Sequence, residues 1–182
     1  MFISVRDLAV ETLNFDEEFR PGTIDFGSDI RQQSPLLAQG RAELIEEHGA
    51  ESTISDIRLV GSLSTNLELR CARCLDPVER AIATNFDLLY RPLGAIRMPH
   101  ESSISEVETE ISYYEGQGLL LEDVLKEQVL LAVPLKEVCR TECRGICPGC
   151  GRNLNLEPCA CPEPVADPRW SALKDLRDKL QS

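Results

Sequence analysis

Residues 57–70, IRLVGSLSTNLELR, carry apolar side chains at alternate positions. This period of two predicts a β-strand with one buried face, because successive side chains of a strand point to opposite sides. Gly61 interrupts the alternation, and we expect a bulge or bend there, since glycine tolerates unusual backbone angles and has no side chain to pack. The residues predicted to face the core are Ile57, Leu59, Leu63, Leu67 and Leu69.

A second alternating run follows over residues 78–91, with polar side chains on its other face. The two runs together predict an antiparallel hairpin, whose connection is the segment CARCLDP at residues 71–77. The first pair of cysteines, Cys71 and Cys74, is therefore expected in the hairpin connection. The apolar residues of the second run are Val78, Ile82, Phe86, Leu88 and Tyr90.

Weaker patterns predict three more strands and a loop. The strands are expected at residues 2–5, 41–46 and 111–114, between segments rich in proline, glycine and serine. Residues 92–118 combine proline and glycine with several glutamates, which predicts an acidic loop around the last of these strands.

Two segments have helical periodicity. The first covers residues 121–132 and is expected to end before Pro134, because proline disfavours helical geometry in the residue that precedes it. The second begins at Asp167, a suitable N-cap that proline follows at the first helical position, and it predicts a short amphipathic helix. The apolar side of this terminal helix is Trp170, Leu173, Leu176 and Leu180.

The composition changes near Pro134 and divides the chain. Six of the eight cysteines follow within residues 139–161, in a segment with too few apolar residues to form a core without a covalent or metal staple. We therefore predict an α+β protein with two parts. Residues 1–134 form an antiparallel β-rich body with an acidic loop and a helix, and residues 135–182 form a C-terminal cysteine-rich, metal-stapled module.

The charge of the chain is unevenly distributed. Residues 1–138 carry 12 basic against 25 acidic side chains, whereas residues 139–182 carry seven against six. Affinity for nucleic acids comes largely from cations that displace counterions, so this balance disfavours DNA and broad RNA binding and favours a basic partner. No apolar run is long enough to cross a bilayer, and the N-terminus lacks the pattern of a signal peptide, so we expect a soluble, cytoplasmic protein.

Eight cysteines in a reducing compartment predict metal ligands rather than disulfides. Two thiolates separated by two residues can face one ion, and eight make two tetrahedral sets of four. Our preferred assignment places one zinc on Cys147, Cys150, Cys159 and Cys161, and a second zinc on Cys71, Cys74, Cys139 and Cys143. An alternative set combines Cys143, Cys147 and Cys150 with either Cys159 or Cys161. Iron is an alternative metal, because thiolates do not select strongly between the two.

The cysteine pattern indicates structure rather than catalysis. Four thiolates complete the shell of a zinc ion and leave no position for water, so either assignment gives a structural site. The sequence contains no nucleophile elbow, phosphate-binding loop or zinc-protease motif, so an enzyme is disfavoured. A different class of function remains open, because Cys71 and Cys74 with Arg73 between them could form a redox dithiol in a thiol-based or metal-responsive regulator.

Several segments together resemble the YceD family, the large ribosomal RNA subunit accumulation proteins. They are Cys-x-Arg-Cys-Leu at residues 71–75, LLAVPL at 130–135, CRGICPGCGRNLN at 143–155, Cys159-Ala-Cys161 and Asp167-Pro-Arg169. The resemblance implies a non-enzymatic role in accumulation of 23S ribosomal RNA. It also implies that the partner is a ribosomal protein or a precursor particle of the large subunit.

Direct contact with RNA is expected to be limited. The cations available for it in the C-terminal module are Arg140, Arg144, Arg152 and Arg169. Four charges supply modest, salt-sensitive affinity, because each phosphate contact releases roughly one counterion.

Overall fold

The computed structural model describes residues 1–48, 53–95 and 111–162. Within them the chain forms eight strands and two helices, which confirms the predicted α+β class. The strands are β1 (Phe2–Ser4), β2 (Leu13–Phe19), β3 (Arg31–Gln32), β4 (Leu36–His48), β5 (Thr53–Arg70), β6 (Pro77–Pro92), β7 (Ile111–Tyr114) and β8 (Gly118–Leu120). The helices are α1 (Val5–Leu8) and α2 (Leu121–Ala132).

The β5–β6 hairpin is the centre of the fold, as its alternating sequence predicts. The strands pair antiparallel from Ile57 opposite Tyr90 to Arg70 opposite Pro77. All five apolar positions predicted for the core face of β5 are buried, and so are Ile82, Phe86 and Tyr90 of β6. A main sheet of six strands is built around this hairpin in the order β2-β4-β5-β6-β7, with β3 also paired to β5. Every pair is antiparallel except β6 with β7.

The expectation of a bulge at Gly61 is wrong. The register of β5 with both neighbours continues without an extra residue, with Gly40 on one side of Gly61 and Phe86 on the other. A Cβ atom at Gly61 would lie 2.5 Å from the backbone oxygen of Gln39 and 2.9 Å from Cζ of Phe86. Glycine is needed at this position for close packing between strands.

Strand prediction was least successful at the short and acidic segments. β2 was missed because Asp16, Glu17 and Glu18 follow one another and break its apolar alternation, although Phe15 and Phe19 are buried. The strand predicted at residues 41–46 is the middle of the longer β4, and the strand at 111–114 is β7. The strand predicted at 2–5 ends at Ser4, whose side chain accepts a hydrogen bond from the backbone N–H of Arg6 and caps α1.

Helix α2 has the predicted bounds, Leu121–Ala132. Its buried side chains are Leu121, Val124, Leu125 and Val129, and they belong to the same core cluster as Ile57 and Leu59 of β5. Leu120 at its N-cap belongs to β8, which pairs antiparallel with β1 in a separate two-stranded sheet. No helix in the described part of the chain is long and apolar enough to span a membrane.

An ion pair lies near each end of β6. The Arg91 guanidinium and the Asp56 carboxylate are both largely buried and are linked by hydrogen bonds of 2.7 to 3.2 Å. Arg80 forms hydrogen bonds of 2.6 to 3.0 Å with both carboxylate oxygens of Glu137, a buried residue that follows α2.

The contacts divide the chain into two compact units. The body contains Met1–Arg70 and Pro77–Glu137, and the cysteine module contains Cys71–Asp76 and Val138–Ser182, of which residues 71–76 and 138–162 are described. The loop between β5 and β6 thus groups with the C-terminal residues. The predicted division into residues 1–134 and 135–182 stays a prediction of domain organisation. The predicted terminal helix after Asp167 lies outside the described residues, as does most of the acidic loop.

Candidate metal centres

The first cysteine group brings the hairpin connection together with the start of the C-terminal segment. Its members are Cys71, Cys74, Cys139 and Cys143, whose Sγ atoms all lie within 4.8 Å of one another. The Sγ atoms of Cys71 and Cys143 are 3.8 Å apart, and those of Cys74 and Cys139 are 3.7 Å apart. A tetrahedral zinc site with bonds of about 2.3 Å requires sulfur–sulfur separations of about 3.8 Å. The thiols are free and their spacing fits one such ion.

The second cysteine group lies entirely in the C-terminal segment. Its members are Cys147, Cys150, Cys159 and Cys161, again with all four Sγ atoms within 4.8 Å of one another. The two groups contain the same cysteines as the preferred assignment to two zinc ions. The structure does not bring the cysteines of the alternative ligand set together, because Cys143 lies in the first group while Cys147 and Cys150 lie in the second.

The two Cys-x-x-Cys turns have the same backbone hydrogen bonds. In the first, the N–H of Leu75 donates to the carbonyl of Cys71 at 3.0 Å, and the N–H of Arg73 donates to Cys71 Sγ at 3.4 Å. In the second, Gly151 and Gly149 make the equivalent bonds to Cys147, at 2.8 and 3.4 Å. The residue after the second cysteine has positive φ in both turns, 66° at Leu75 and 73° at Gly151. Leucine is strained in this region, whereas glycine adopts it freely.

The thiols of each group do not titrate alike. Burial opposes ionisation of Cys71, but hydrogen bonds from the N–H groups of Cys74, Cys139 and Arg73 lower its pKa to about 6. Hydrogen bonds from backbone N–H groups also lower the pKa of Cys147 to about 6. The neighbouring sulfurs of Cys150 and Cys147, by contrast, raise the pKa of Cys161 to about 12. Thiolates this close repel one another, and a divalent cation would offset part of their negative charge.

Residues other than cysteine also support the first group, and the sequence patterns did not predict a role for them. The Asn155 side chain donates a hydrogen bond to Cys143 Sγ at 3.3 Å, which lowers the pKa of that thiol, and its Oδ1 accepts one from the N–H of Arg144. Asn153 donates to the carboxylate of Asp76 at 2.9 Å. The sequence did contain a signal for both asparagines, because the segment Asn153-Leu-Asn155 ends the motif at residues 143–155 that carries the family resemblance.

Arg73 also has a structural role in the module. Its guanidinium donates to the carbonyl oxygens of Thr141 and Cys143, at 3.1 and 3.0 Å, and its own carbonyl accepts the N–H of Ile146. The side chain thus holds the two halves of the first group in position.

Three of the four arginines predicted to contact a partner lie among the described residues of the cysteine module. Arg140, Arg144 and Arg152 are exposed, and Arg152 forms an ion pair with Glu157 at 3.6 Å. Arg169 lies outside the described residues. Their role in partner binding stays a prediction.

The fold and the site together define a class of protein: an α+β body joined to a cysteine module with two groups of four thiols that could hold metal ions. The chain belongs to the YceD family, described as large ribosomal RNA subunit accumulation protein, whose sequence model matches residues 59–177. This confirms the family resemblance found in the sequence.

Individual relatives agree with the family assignment. An uncharacterised protein of Mycobacterium leprae is 28% identical over 167 residues, which cover 86% of this chain and 72% of the relative. An uncharacterised protein of Mycobacterium tuberculosis is 31% identical over 143 residues, 78% of this chain and 66% of the relative. The chloroplastic YCED homolog 1 of Arabidopsis thaliana, named as a large ribosomal RNA subunit accumulation protein, is 25% identical over 146 residues, 69% of this chain and 46% of the relative. No solved structure matches the chain.

Proposed function

We propose that the protein is a non-enzymatic, cytoplasmic factor in biogenesis of the large ribosomal subunit. It supports accumulation of 23S ribosomal RNA by binding a ribosomal protein or a precursor particle. The family match over residues 59–177 carries this proposal. The acidic balance of residues 1–138 supports a basic protein as the contact, because an acidic surface attracts cationic partners and repels bare phosphate backbones.

Both cysteine groups are proposed to bind structural zinc. The separations of 3.7 and 3.8 Å in the first group are those of a tetrahedral four-thiolate zinc site. With four sulfur ligands, an ion has no open position at which a substrate or water could react. The ions therefore stabilise the fold of the cysteine module, and their binding free energy becomes folding free energy. Iron is the alternative metal, and elemental analysis distinguishes the two.

Limited RNA contact is assigned to the exposed arginines of the cysteine module. Arg140 and Arg144 are exposed near the first cysteine group, and the partner of Arg152 is a solvent-exposed glutamate. Surface ion pairs of this kind contribute little stability, so Arg152 can exchange its partner for a phosphate at small cost. DNA is not expected as a partner, because a chain with a net charge of -12 disfavours the displacement of counterions on which duplex binding depends.

The test is sedimentation of cell lysate in the native host. The protein should migrate with precursors of the large subunit and be absent from mature ribosomes, and its depletion should lower the ratio of 23S to 16S ribosomal RNA. The control is re-expression of the unmodified chain, which should restore the ratio. A protein that stays at the top of the gradient, with an unchanged RNA ratio after depletion, would contradict the proposal.

A thiol-based regulator that uses the Cys71–Cys74 dithiol is the alternative, and it is favoured by the backbone N–H groups of Cys74, Cys139 and Arg73, which lower the pKa of Cys71 to about 6. Titration of the native protein with a thiol reagent separates the two readings. Structural metal predicts protected thiols that a chelator releases together with the ion. A redox dithiol predicts two thiols that react rapidly before any chelator is added.

A further inference from the structure

A groove of about 350 Å³ lies in the body, lined by residues of β1, β6, β7, β8 and α2. Three of its hydrophobic side chains are about half exposed: Phe2 at 52%, Tyr113 at 49% and Leu120 at 47%. Exposed apolar side chains that share one concave surface, rather than being scattered singly, are a feature of binding sites.

Carboxylates line the same groove. They are Glu115, Asp123 and Glu127. In the described part of the structure none of the three has an ion-pair partner. Burial and the charge of Glu127 raise the pKa of Tyr90 to about 12, so the negative potential of this carboxylate reaches the wall of the groove. The groove therefore combines hydrophobic contact surface with uncompensated negative charge.

We propose that this acidic–aromatic groove binds a lysine- or arginine-bearing segment of a basic protein. The inference deepens the proposed function and rests on it, since a ribosomal protein supplies such a segment. The guanidinium or ammonium group would pair with the carboxylates and lie against the ring of Tyr113. The aliphatic stem of the same side chain would pack on Phe2 and Leu120.

Other classes of partner fit this groove less well. A phosphate backbone would be repelled by three carboxylates that have no ion-pair partner among the described residues. A purely apolar helix would bury the carboxylates without partners, which costs more free energy than its hydrophobic contacts return. A cationic side chain with a long aliphatic stem satisfies both features of the groove.

The first experiment measures binding of a fluorescein-labelled hexa-arginine peptide to the full-length, metal-loaded chain by fluorescence anisotropy. The variant Glu115→Gln/Glu127→Gln should weaken binding about fivefold at low salt. The matched control is Glu18→Gln/Glu46→Gln, which removes the same charge from exposed positions of β2 and β4 and should change binding less than twofold. Tyr113→Ser should weaken binding about threefold, whereas Tyr113→Phe should retain it, because the ring and not the hydroxyl carries the contact.

Three results would overturn the proposal. Equal weakening in the control variant would show that only net charge attracts the peptide. Unchanged binding of the peptide to both Tyr113 variants would show that the Tyr113 ring does not contact the peptide. Direct binding of fluorescein-labelled oligouridylate to the unmodified chain, weakened by Tyr113→Ser, would show that the class of partner is wrong.

The second experiment separates this proposal from the proposed function. If the unmodified chain sediments with precursor particles and Glu115→Gln/Glu127→Gln does not, both stand. If both chains sediment equally, the groove is not the interface, although the role in biogenesis survives. If the unmodified chain does not sediment with precursors, the proposed function fails, and the peptide measurement still decides what the groove binds.

Discussion

The two cysteine groups should bind zinc cooperatively, because the segment between them supports both. Residues 144–155 contain the turn of the second group and also donate three hydrogen bonds to residues around the first. The Ile146 N–H donates to the Arg73 carbonyl at 3.0 Å, Asn153 to Asp76 at 2.9 Å, and Asn155 to Cys143 Sγ at 3.3 Å. An ion in the second group orders this segment and thereby preorganises the first.

The perturbation is Cys159→Ser/Cys161→Ser, which removes two ligands of the second group and leaves residues 144–155 unchanged. At about 1 kcal/mol for each hydrogen bond, loss of the ordered segment weakens the first group by about 3 kcal/mol, or about 100-fold in zinc affinity. Cys139→Ser/Cys143→Ser is the reciprocal variant. Coupling between two sites is symmetric, so it should weaken the second group by the same factor.

The assay is competition with a chelator of known zinc affinity, combined with elemental analysis. The unmodified chain should bind two zinc ions and each double variant one. The unmodified chain has two zinc association constants, and each double variant has one. The product of the two constants of the unmodified chain should be about 100-fold larger than the product of the two variants' constants. Asn155→Ala removes one contact and should weaken the first group by about fivefold. Equal products would refute the reasoning and show that the two groups bind metal independently.

Three further predictions follow from individual residues. Gly61→Ala should lower the free energy of unfolding of the body in urea by about 3 kcal/mol, because its Cβ atom would lie 2.5 Å from the Gln39 backbone oxygen. The control Ser62→Ala, on the same strand, should change this free energy little. Equal stabilities of the two variants would contradict the packing argument. Leu75→Asn should stabilise the module by about 1 kcal/mol, because asparagine tolerates the φ of 66° better than leucine, and the exposed Leu156→Asn should have no such effect. Replacing the four arginines at positions 140, 144, 152 and 169 by glutamine should reduce binding to precursor particles and leave zinc content unchanged, and undiminished binding would remove them from the interface.

Local sequence patterns were sufficient where a residue's neighbours in the chain determine its environment. The alternation in β5 and β6 predicted their buried faces, and the periodicity of α2 together with Pro134 predicted its bounds. β2 was not predicted, because three consecutive acidic residues hide its alternation and its pairing partner β4 is distant in the sequence. The role of Gly61 was misjudged for the same reason, since Gln39 and Phe86 crowd it from other strands.

Cysteine spacing by itself indicated metal ligands but left two ways to divide them. The sequence shows which thiols are close along the chain, and Cys143 is as close to Cys147 as it is to Cys139. Tertiary structure decided the grouping, because the hairpin connection places Cys71 and Cys74 beside Cys139 and Cys143. The supporting contacts of Asn153 and Asn155 also depend on this long-range approach. The sequence therefore determined the family, the central hairpin and the thiol-rich chemistry, whereas only the fold decided which sulfurs can share an ion, because coordination requires proximity in space rather than along the chain.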